Sequence, residues 1–295
     1  MKYKLKFSRV LFLTVDVVAL LGIGFVCLAP IWHVVMASVS DPTVLGSTRG
    51  LVFYPLKRVD TTAYHIILQY KKLWVSYGNT ILYIIVHCGL TGVFTTIAGY
   101  VLSRKRLYFR NGFMMIISFT MLFNGGMIPT YILIRKLGMI DTPFAIVVPG
   151  MLNVFNILIM RTSMEGIPVE LEESARMDGA GELTIMWKII LPLCKATFAV
   201  IMLFTVVAKW NDYMSALLYL PTRTDLYPLQ MVLRQILITS TADYTNAATM
   251  ANTISIYKKS VEYAAIVVST LPILCIYPFI QKYFVTGVTI GAVKS

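Results

Sequence analysis

Long apolar runs separated by short polar segments organise the whole chain. Six runs approach or exceed the roughly 20 residues that a helix needs to cross a bilayer. They cover residues 10–35, 77–103, 112–134, 143–161, 194–220 and 261–284. The pattern predicts an all-α, polytopic membrane protein, with residues 1–9 as an N-terminal arm and residues 10–295 as a single domain of six transmembrane helices.

The composition excludes a water-soluble protein. Of the 295 residues, 57% are hydrophobic and only 14% are charged, whereas soluble domains carry about 25% charged residues. The net charge of +12 is typical of a nucleic-acid-binding protein too, but basic residues of membrane proteins flank the spans and contact anionic headgroups. We therefore expect the lipid bilayer as a partner and no nucleic acid.

The cysteines and histidines give no indication of a disulfide or a metal site. Each cysteine lies in or at the edge of an apolar run, there is no C-x-x-C pair, and the histidines lack an H-E-x-x-H spacing. The cysteines are Cys27, Cys88, Cys194 and Cys275, and the histidines are His33, His65 and His87.

The first apolar run, residues 10–35, has two interpretations. A secretory signal peptide would have an apolar stretch of roughly 7–15 residues, and this run is much longer. We therefore predict a retained first transmembrane helix.

Basic residues in the short segments orient the spans. With six spans both termini lie on one side, and the N-terminal arm and residues 104–110 carry four basic residues each. Basic residues in short segments mark the cytoplasmic side. This assigns both termini and residues 163–193 to the cytoplasm. The basic residues are Lys2, Lys4, Lys6, Arg9, Arg104, Lys105, Arg106 and Arg110.

Residues 163–193, the docking loop below, form the most charged segment between two spans. Three glutamates cluster within residues 170–173, where carboxylates complement the N-terminal end of a helix dipole. Asp178-Gly179 then favours a turn, and apolar residues at helical spacing follow. The pattern predicts two short helices joined by a glycine elbow. On chemistry alone, this is either a docking element or an ordinary amphipathic loop at the membrane surface.

The docking loop resembles the EAA loop of type I ABC importer permeases. Its pattern is Glu-Ala-Ala, three residues, Gly, nine residues, then Ile-x-Leu-Pro. The matching residues are Glu173, Ser174, Ala175, Gly179, Ile189, Leu191 and Pro192, with Ser174 in place of the usual first alanine.

Other segments resemble the carbohydrate-importer branch of this family, closest to permeases related to the maltose G subunit and of the LplC/YtcP type. Relatives of that type are associated with pectin or alginate fragments. The segments are FNGGMIPTY (123–131), PGMLNVFNILIMRT (149–162), KWNDYMSALLYL (209–220), YPLQMVLRQIL (227–237) and YPFIQKYFVTGVTIGAVK (277–294).

The resemblance implies a permease subunit that imports a carbohydrate, an oligosaccharide above all, across a bacterial cell (inner) membrane. The implied partners are a second homologous permease, two copies of an ABC ATPase and an extracytoplasmic sugar-binding protein, which residues 221–260 would contact. The ATPase would bind ATP and Mg²⁺, and residues 285–295 would also touch it. This chain would bind no cofactor and catalyse no reaction. It contains no G-x-x-x-x-G-K-[ST] motif.

The resemblance also implies an ATPase-docking coupling helix within the docking loop. Glu173 would face a basic residue of the ATPase, and Gly179 would allow the close elbow. The implied docking residues are Glu172, Glu173, Ser174, Ala175, Asp178, Gly179 and Ala180.

Polar residues inside the predicted spans are candidates for the substrate path, since such residues usually face the bundle interior. They are Asn153, Asn156, Trp210, Asn211, Asp212 and Tyr213. A purely structural role is the alternative, because Lys209 and Asp212 at i, i+3 could pair and asparagine often bonds helices together.

Two other classes of protein agree less well with the sequence. A secondary active transporter, working without an ATPase, would have internal repeats with paired broken helices. This sequence predicts one interruption, in the run 112–134 at Asn124, Gly125, Gly126 and Pro129, and its halves do not match. An intramembrane enzyme would need a catalytic cluster at one membrane depth, and the scattered His, Asp and Ser residues do not form one.

Overall fold

A computed structural model of the chain describes residues 7–238 and 256–275. These residues form helices joined by loops and turns, with one isolated antiparallel bridge between Ser40 and Val59. The prediction of an all-α membrane protein is confirmed. The helices are α1 (Phe7–Ser38), α2 (Pro42–Leu45), α3 (Thr62–Gln69), α4 (Lys71–Ser103), α5 (Arg110–Leu122), α6 (Met127–Lys136), α7 (Phe144–Val147), α8 (Val154–Glu165), α9 (Glu170–Met177), α10 (Glu182–Thr184), α11 (Leu191–Leu193), α12 (Lys195–Trp210), α13 (Met214–Tyr219) and α14 (Leu229–Ile238), with a further helix over residues 256–275.

The described residues divide into two compact units, residues 7–71 with 235–238 and 256–271, and residues 72–234 with 272–275. The first unit is built on α1, whose apolar side chains are mostly exposed. At 30 residues with a strongly apolar composition, Arg9–Ser38 is long enough to cross a bilayer, as predicted for the first run. Ala37, Leu45 and Val52 form a small core at its end.

The second unit is built on α4, a helix of 33 residues. It contains the predicted second span and begins six residues earlier, at Lys71 rather than residue 77. A second core surrounds its C-terminal end and is made by residues of α4, α8, α12 and the docking loop. The buried members are Tyr100, Met160, Met164, Ala175, Ile185, Met186, Ile190, Cys194 and Ile201.

Three of the predicted spans are interrupted. The run 112–134 is divided into α5 and α6, which meet at 109°; Gly126 at the break has φ +87°, a conformation that only glycine adopts without strain. The run 143–161 is likewise divided into α7 and α8, with Gly150 between them at φ +78°. In the run 194–220, α12 ends at Trp210 and α13 begins at Met214.

The number of spans depends on whether each bent pair of helices is one span. Among the described residues, two helices are long and apolar enough to cross a membrane alone, and up to four spans result if each bent pair is one span. Helix 256–275 overlaps the predicted sixth span (261–284) over residues 261–275, and residues 276–284 lie outside the described residues. The count of six therefore stays a prediction.

Close packing joins α4 to α8 at a glycine. A Cβ atom placed on Gly99 would lie 2.9 Å from Cγ of Met160 and 3.3 Å from the backbone nitrogen of Arg161. Met160 is fully buried, so its side chain has little room to move away. Only glycine allows the two helices to approach this closely.

We expect Gly99→Ala to destabilise the protein by about 1–3 kcal/mol, the usual cost of overpacking a filled core. Gly89→Ala is the matched control, because Gly89 lies on the same helix and a Cβ there would meet no atom within 4 Å. Thermal unfolding of the detergent-purified protein measures both. Equal unfolding temperatures for the two variants would contradict this account of the contact between α4 and α8.

Candidate functional site

The docking loop has the predicted architecture of two helical segments joined at Gly179. Helix α9 ends in a Schellman motif, in which the N–H of Ala180 donates to the carbonyl of Ala175 (2.9 Å) and that of Gly179 to the carbonyl of Arg176 (2.9 Å). Gly179 has φ +83°, and a Cβ there would meet nothing within 4 Å. The glycine is therefore required for the backbone conformation of the elbow, and no described residue lies close enough to exclude a side chain there.

The second segment differs from a regular helix. Residues Ile185–Ile190 form a π-helix between α10 and α11, immediately before Pro192. A proline ring clashes with the carbonyl four residues earlier in a regular helix, and the wider π turn relieves that crowding. At Cys194 the chain bends by 84° into α12. The docking loop therefore continues directly into a helix of the membrane domain.

The predicted docking residues divide into an exposed and a buried set. Around the elbow the side chains of Glu173, Ser174 and Asp178 are exposed, as is Gly179, and Ala180 is half-buried. Met177 nearby is 89% exposed, which leaves an apolar side chain uncovered beside the carboxylates. Glu172 and Ala175, in contrast, are buried within the chain.

Glu172 forms a buried ion pair with Arg104. Its Oε1 lies 2.8 Å from Nη1 of Arg104, at ion-pair distance without the alignment of a hydrogen bond. The carboxylate is 2% exposed and the guanidinium 12%. The guanidinium also lies over the ring of Tyr100, 4.6 Å from its centroid, which adds a cation–π contact. The pair attaches the first turn of α9 to the end of α4.

Glu182 makes a second link to α4 and the segment after it. The hydroxyl of Tyr100 donates to its Oε2 (2.7 Å), and Arg106 and Arg176 form ion pairs with its Oε1. The Tyr100 hydrogen bond, together with the charges of the two arginines, holds the pKa of Glu182 below its usual value against the effect of desolvation. The carboxylate is therefore ionised at neutral pH.

Glu165, at the end of α8, completes the attachment. It forms ion pairs with Arg110 and with Arg161, the latter at 3.0 Å. Both arginines also donate through Nε to the carbonyl of Leu102, at 3.0 and 3.2 Å. Arg104, Arg106 and Arg110, which the sequence analysis used to assign the cytoplasmic side, thus form ion pairs with acidic residues at positions 165–182. Sequence reasoning missed this role, because charge counting cannot pair residues about 70 positions apart.

A second site lies in the same unit, where α4, α12 and the residues around α8 line an open cavity of about 630 Å³. We refer to it as the polar cavity. It is lined by His87, Thr91, Pro149, Gly150, Asn153, Phe155, Asn156, Phe204, Thr205, Ala208, Lys209 and Asp212. Its volume lies in the range of small-molecule sites, about 300–1,000 Å³.

The polar cavity brings together three of the predicted path residues, Asn153, Asn156 and Asp212. Asn153 caps α8 by accepting a hydrogen bond from the backbone N–H of Asn156 (3.2 Å). Asp212 pairs with Lys209 at 2.8 Å and accepts from the backbone and hydroxyl of Ser215. Lys209 and Asp212 therefore form the ion pair that their i, i+3 spacing suggested, and both side chains line the cavity.

The other three predicted path residues are not among those that line the polar cavity. Trp210 is buried beside Tyr77, with ring centroids 6.3 Å apart. Asn211 donates its side-chain N–H to the carbonyl of Val207 (2.8 Å). Tyr213 lies under the guanidinium of Arg234. These residues lie next to the cavity-lining Lys209 and Asp212 in sequence but have different surroundings, because α12 ends at Trp210 and the backbone turns there.

His87 and Thr91 line the cavity and were missed from the sequence. They lie one turn apart on α4, and their spacing of four within an apolar run is the signal that could have identified them. Of the described residues, no three His, Cys, Asp or Glu side chains are grouped so that they could hold a metal ion.

Comparisons with known proteins agree on one family. The family model of the binding-protein-dependent transport system inner membrane component matches residues 92–290. Protein LplC of Bacillus subtilis is 37% identical over 274 residues, 93% of this chain and 92% of that protein. The polygalacturonan/rhamnogalacturonan transport system permease protein YtcP of the same organism is 36% identical over 280 residues, 94% of this chain and 96% of that one.

A solved structure extends the similarity to the fold. It is described as a bacterial ABC transporter involved in the import of the acidic polysaccharide alginate. It matches with a TM-score of 0.85 and 35% identity, over 95% of this chain and 99% of that chain.

Glu172 is buried and its neighbour Glu173 is exposed. The same substitution at the two positions therefore tests the ion pair between Glu172 and Arg104. We expect Glu172→Gln to destabilise the purified protein by about 3 kcal/mol, because it leaves the guanidinium of Arg104 buried without a counter-charge. Glu173→Gln, the matched control, should change little, since that side chain is exposed. Thermal unfolding in detergent measures both.

A double-mutant cycle separates the pair from other effects of the substitution. Arg104→Met combined with Glu172→Gln should be less destabilising than the sum of the two single variants. Strict additivity would show that the two side chains do not interact energetically.

Proposed function

This chain belongs to the family of binding-protein-dependent transport system inner membrane components, and we propose that its docking loop is the surface on which a separate ATPase acts. The chain is a membrane-embedded permease subunit of an ABC importer for a sugar or oligosaccharide, which works with a substrate-binding protein and an ATPase. Membership of this family argues against the alternative of a secondary active transporter.

The exposure pattern around the elbow is the observation that carries the proposed docking. Glu173, Ser174 and Asp178 are exposed together with Met177, whose apolar side chain is almost completely uncovered. A free carboxylate beside an uncovered apolar side chain suits a partner surface that offers a basic residue and an apolar cleft. Glu173 forms no ion pair with any described residue of this chain, so its charge is available to the ATPase.

The buried members of the motif have a different role in the proposed mechanism. Glu172 attaches α9 to the end of α4 through Arg104, and Ala175 packs in the core around α8 and α12. These residues hold the loop on the membrane domain rather than contact the ATPase. A displacement of the loop would move α4 through the ion pairs. It would move α12 through the backbone, which continues from the loop into α12 at Cys194.

The remaining parts of the complex complete the proposal. Two ATPase subunits bind ATP and Mg²⁺, and their closure moves the docking loops of this chain and of a second, homologous permease as rigid bodies. Both termini and the docking loop lie in the cytoplasm, following the basic residues of the short segments. The outer segment 221–260 faces the binding protein; residues 239–255 and the C-terminal residues 285–295 lie outside the described residues.

The docking role is tested by Glu173→Lys and Gly179→Asp in the assembled transporter. We expect each variant to lower sugar uptake by at least about tenfold, the effect of losing about 1.4 kcal/mol of interaction, while the ATPase subunits still hydrolyse ATP. Uptake into proteoliposomes and phosphate release, measured on the same preparation, give the coupling ratio.

Gly181→Asp is the matched control for Gly179→Asp. Gly181 is in the same loop, is open to solvent and has φ −75°, and an aspartate there would be a favoured N-cap for α10. It should leave uptake unchanged although it adds the same charge. Normal uptake by either Glu173→Lys or Gly179→Asp in an intact complex would refute docking at this loop.

A further inference from the structure

The ion pairs at the C-terminal end of α4 contain more positive than negative charge. Three glutamates are shared by five arginines, and each carboxylate can neutralise only one of them. The glutamates are Glu165, Glu172 and Glu182, and the arginines are Arg104, Arg106, Arg110, Arg161 and Arg176. The excess charge attracts a further anion to this surface, because the field of a charged group extends about 8 Å at physiological ionic strength.

Lys105 adds a charge that no described residue neutralises. It is exposed and, unlike Arg104 and Arg106 on either side, it forms no ion pair or hydrogen bond with a described residue. It lines an open cavity of about 470 Å³ where the chain passes from α4 to α5. This loop cavity is also lined by Leu107, Phe109, Arg110, Asn111 and Gly112. An ammonium group without a counter-ion has three donors for the oxygen atoms of an anion.

Arg110 lines the same cavity and has donors that the chain does not use. Its Nε donates to the carbonyl of Leu102 at 3.0 Å, and its Nη2 donates to Glu165. A guanidinium has five N–H donors, and Nη1 has no partner among the described residues. Because Arg110 shares Glu165 with Arg161, its charge is also only partly compensated. The loop cavity therefore combines a free ammonium with a guanidinium that can bind a further anion.

Two exposed aromatic rings lie beside these cations. Phe109 is 71% exposed and Tyr108 is 88% exposed. The backbone of Phe109 has φ +60°, which is rare for a bulky residue, and its ring lies against Gly112. A Cβ atom on Gly112 would be 2.5 Å from Cδ1 of that ring, so the glycine leaves the space that the ring occupies. Aromatic side chains of this kind are typical of the boundary between membrane and water.

The surface next to the loop cavity is apolar and belongs to a membrane helix. Met115 and Ile116 follow Gly112 on the same face of α5, three and four residues later, and both are exposed. Positive charge, aromatic rings and an apolar helix face therefore succeed one another over a short stretch of chain. An anionic phospholipid has the matching order of groups, with a phosphate at one end and acyl chains at the other. A free anion would leave the apolar part of this surface uncovered.

We propose that the loop cavity binds an anionic phospholipid, with Lys105 and Arg110 contacting its phosphate while its acyl chains lie along α5. The bound phosphate compensates the excess positive charge of the five arginines. Since two of those arginines, Arg104 and Arg106, attach the docking loop, the lipid lies next to that attachment. The proposal goes beyond sugar import and is independent of which sugar is carried.

Lys105→Gln tests the site in the full-length chain, reconstituted in phosphatidylcholine vesicles. The probe is a photoactivatable phosphatidylglycerol whose reactive group lies on an acyl chain near the headgroup. Mass spectrometry of the digested protein gives the yield of lipid attached to residues 104–116. At subsaturating probe the substitution should lower this yield about fivefold, the effect of one basic residue near an anionic lipid. Lys105→Arg should keep the yield, because arginine retains the charge.

Lys136→Gln is the matched control. Lys136 is also exposed and forms no ion pair with a described residue, but it does not line the loop cavity. This variant loses the same charge and should be labelled as the wild type is. An unchanged yield for Lys105→Gln, or an equal loss in both variants, overturns the site, because the lipid would then follow the net charge alone.

Two further measurements identify the ligand. A photoactivatable phosphatidylcholine should label residues 104–116 much less than phosphatidylglycerol does, and equal labelling overturns recognition of an anionic headgroup. Millimolar inorganic phosphate should not compete with the labelling when it is compared with potassium chloride of the same ionic strength. Competition by phosphate would assign the loop cavity to a free anion and overturn the lipid.

Discussion

The buried ion pair between Glu172 and Arg104 is the constraint on which the attachment of the docking loop depends. Two charges out of water are stable only while both are present, and one belongs to the docking loop while the other follows the longest membrane helix. The loop cannot move away from α4 without exposing or separating them. The pair therefore ties the position of a surface loop to that of a membrane helix.

The loop is attached to the membrane domain on more than one side. Glu182 binds Tyr100 and Arg106, Glu165 binds Arg110, and the backbone runs through Cys194 into α12. Fully buried side chains of the docking loop, Ile185 and Ile190, fill the space between these attachments. Densely packed interiors deform little and transmit strain. A displacement of the elbow at Gly179 would consequently move α4 and α12 together.

Periodicity and residue chemistry were enough to predict the helical class, the first two membrane helices and the glycine elbow at Gly179. They could not locate the break between α7 and α8, since the predicted span continues across Gly150 while the backbone turns there. The site was predicted in part for the same reason. Asn153, Asn156 and Asp212 line the cavity, but Thr91 is brought there by the packing of helices that are distant in sequence.

Glu172 and Glu173 show how one short motif serves two purposes. Adjacent residues of a helix point about 100° apart, so one carboxylate of α9 faces the protein and the next faces solvent. The inward residue loses its hydration and needs Arg104, whereas the outward one keeps its charge for a partner. Exchanging their roles would require rotating the helix, which the Schellman turn at Gly179 and the burial of Ala175 oppose. The direction of each glutamate is thus determined by the turn and the alanine on the same helix.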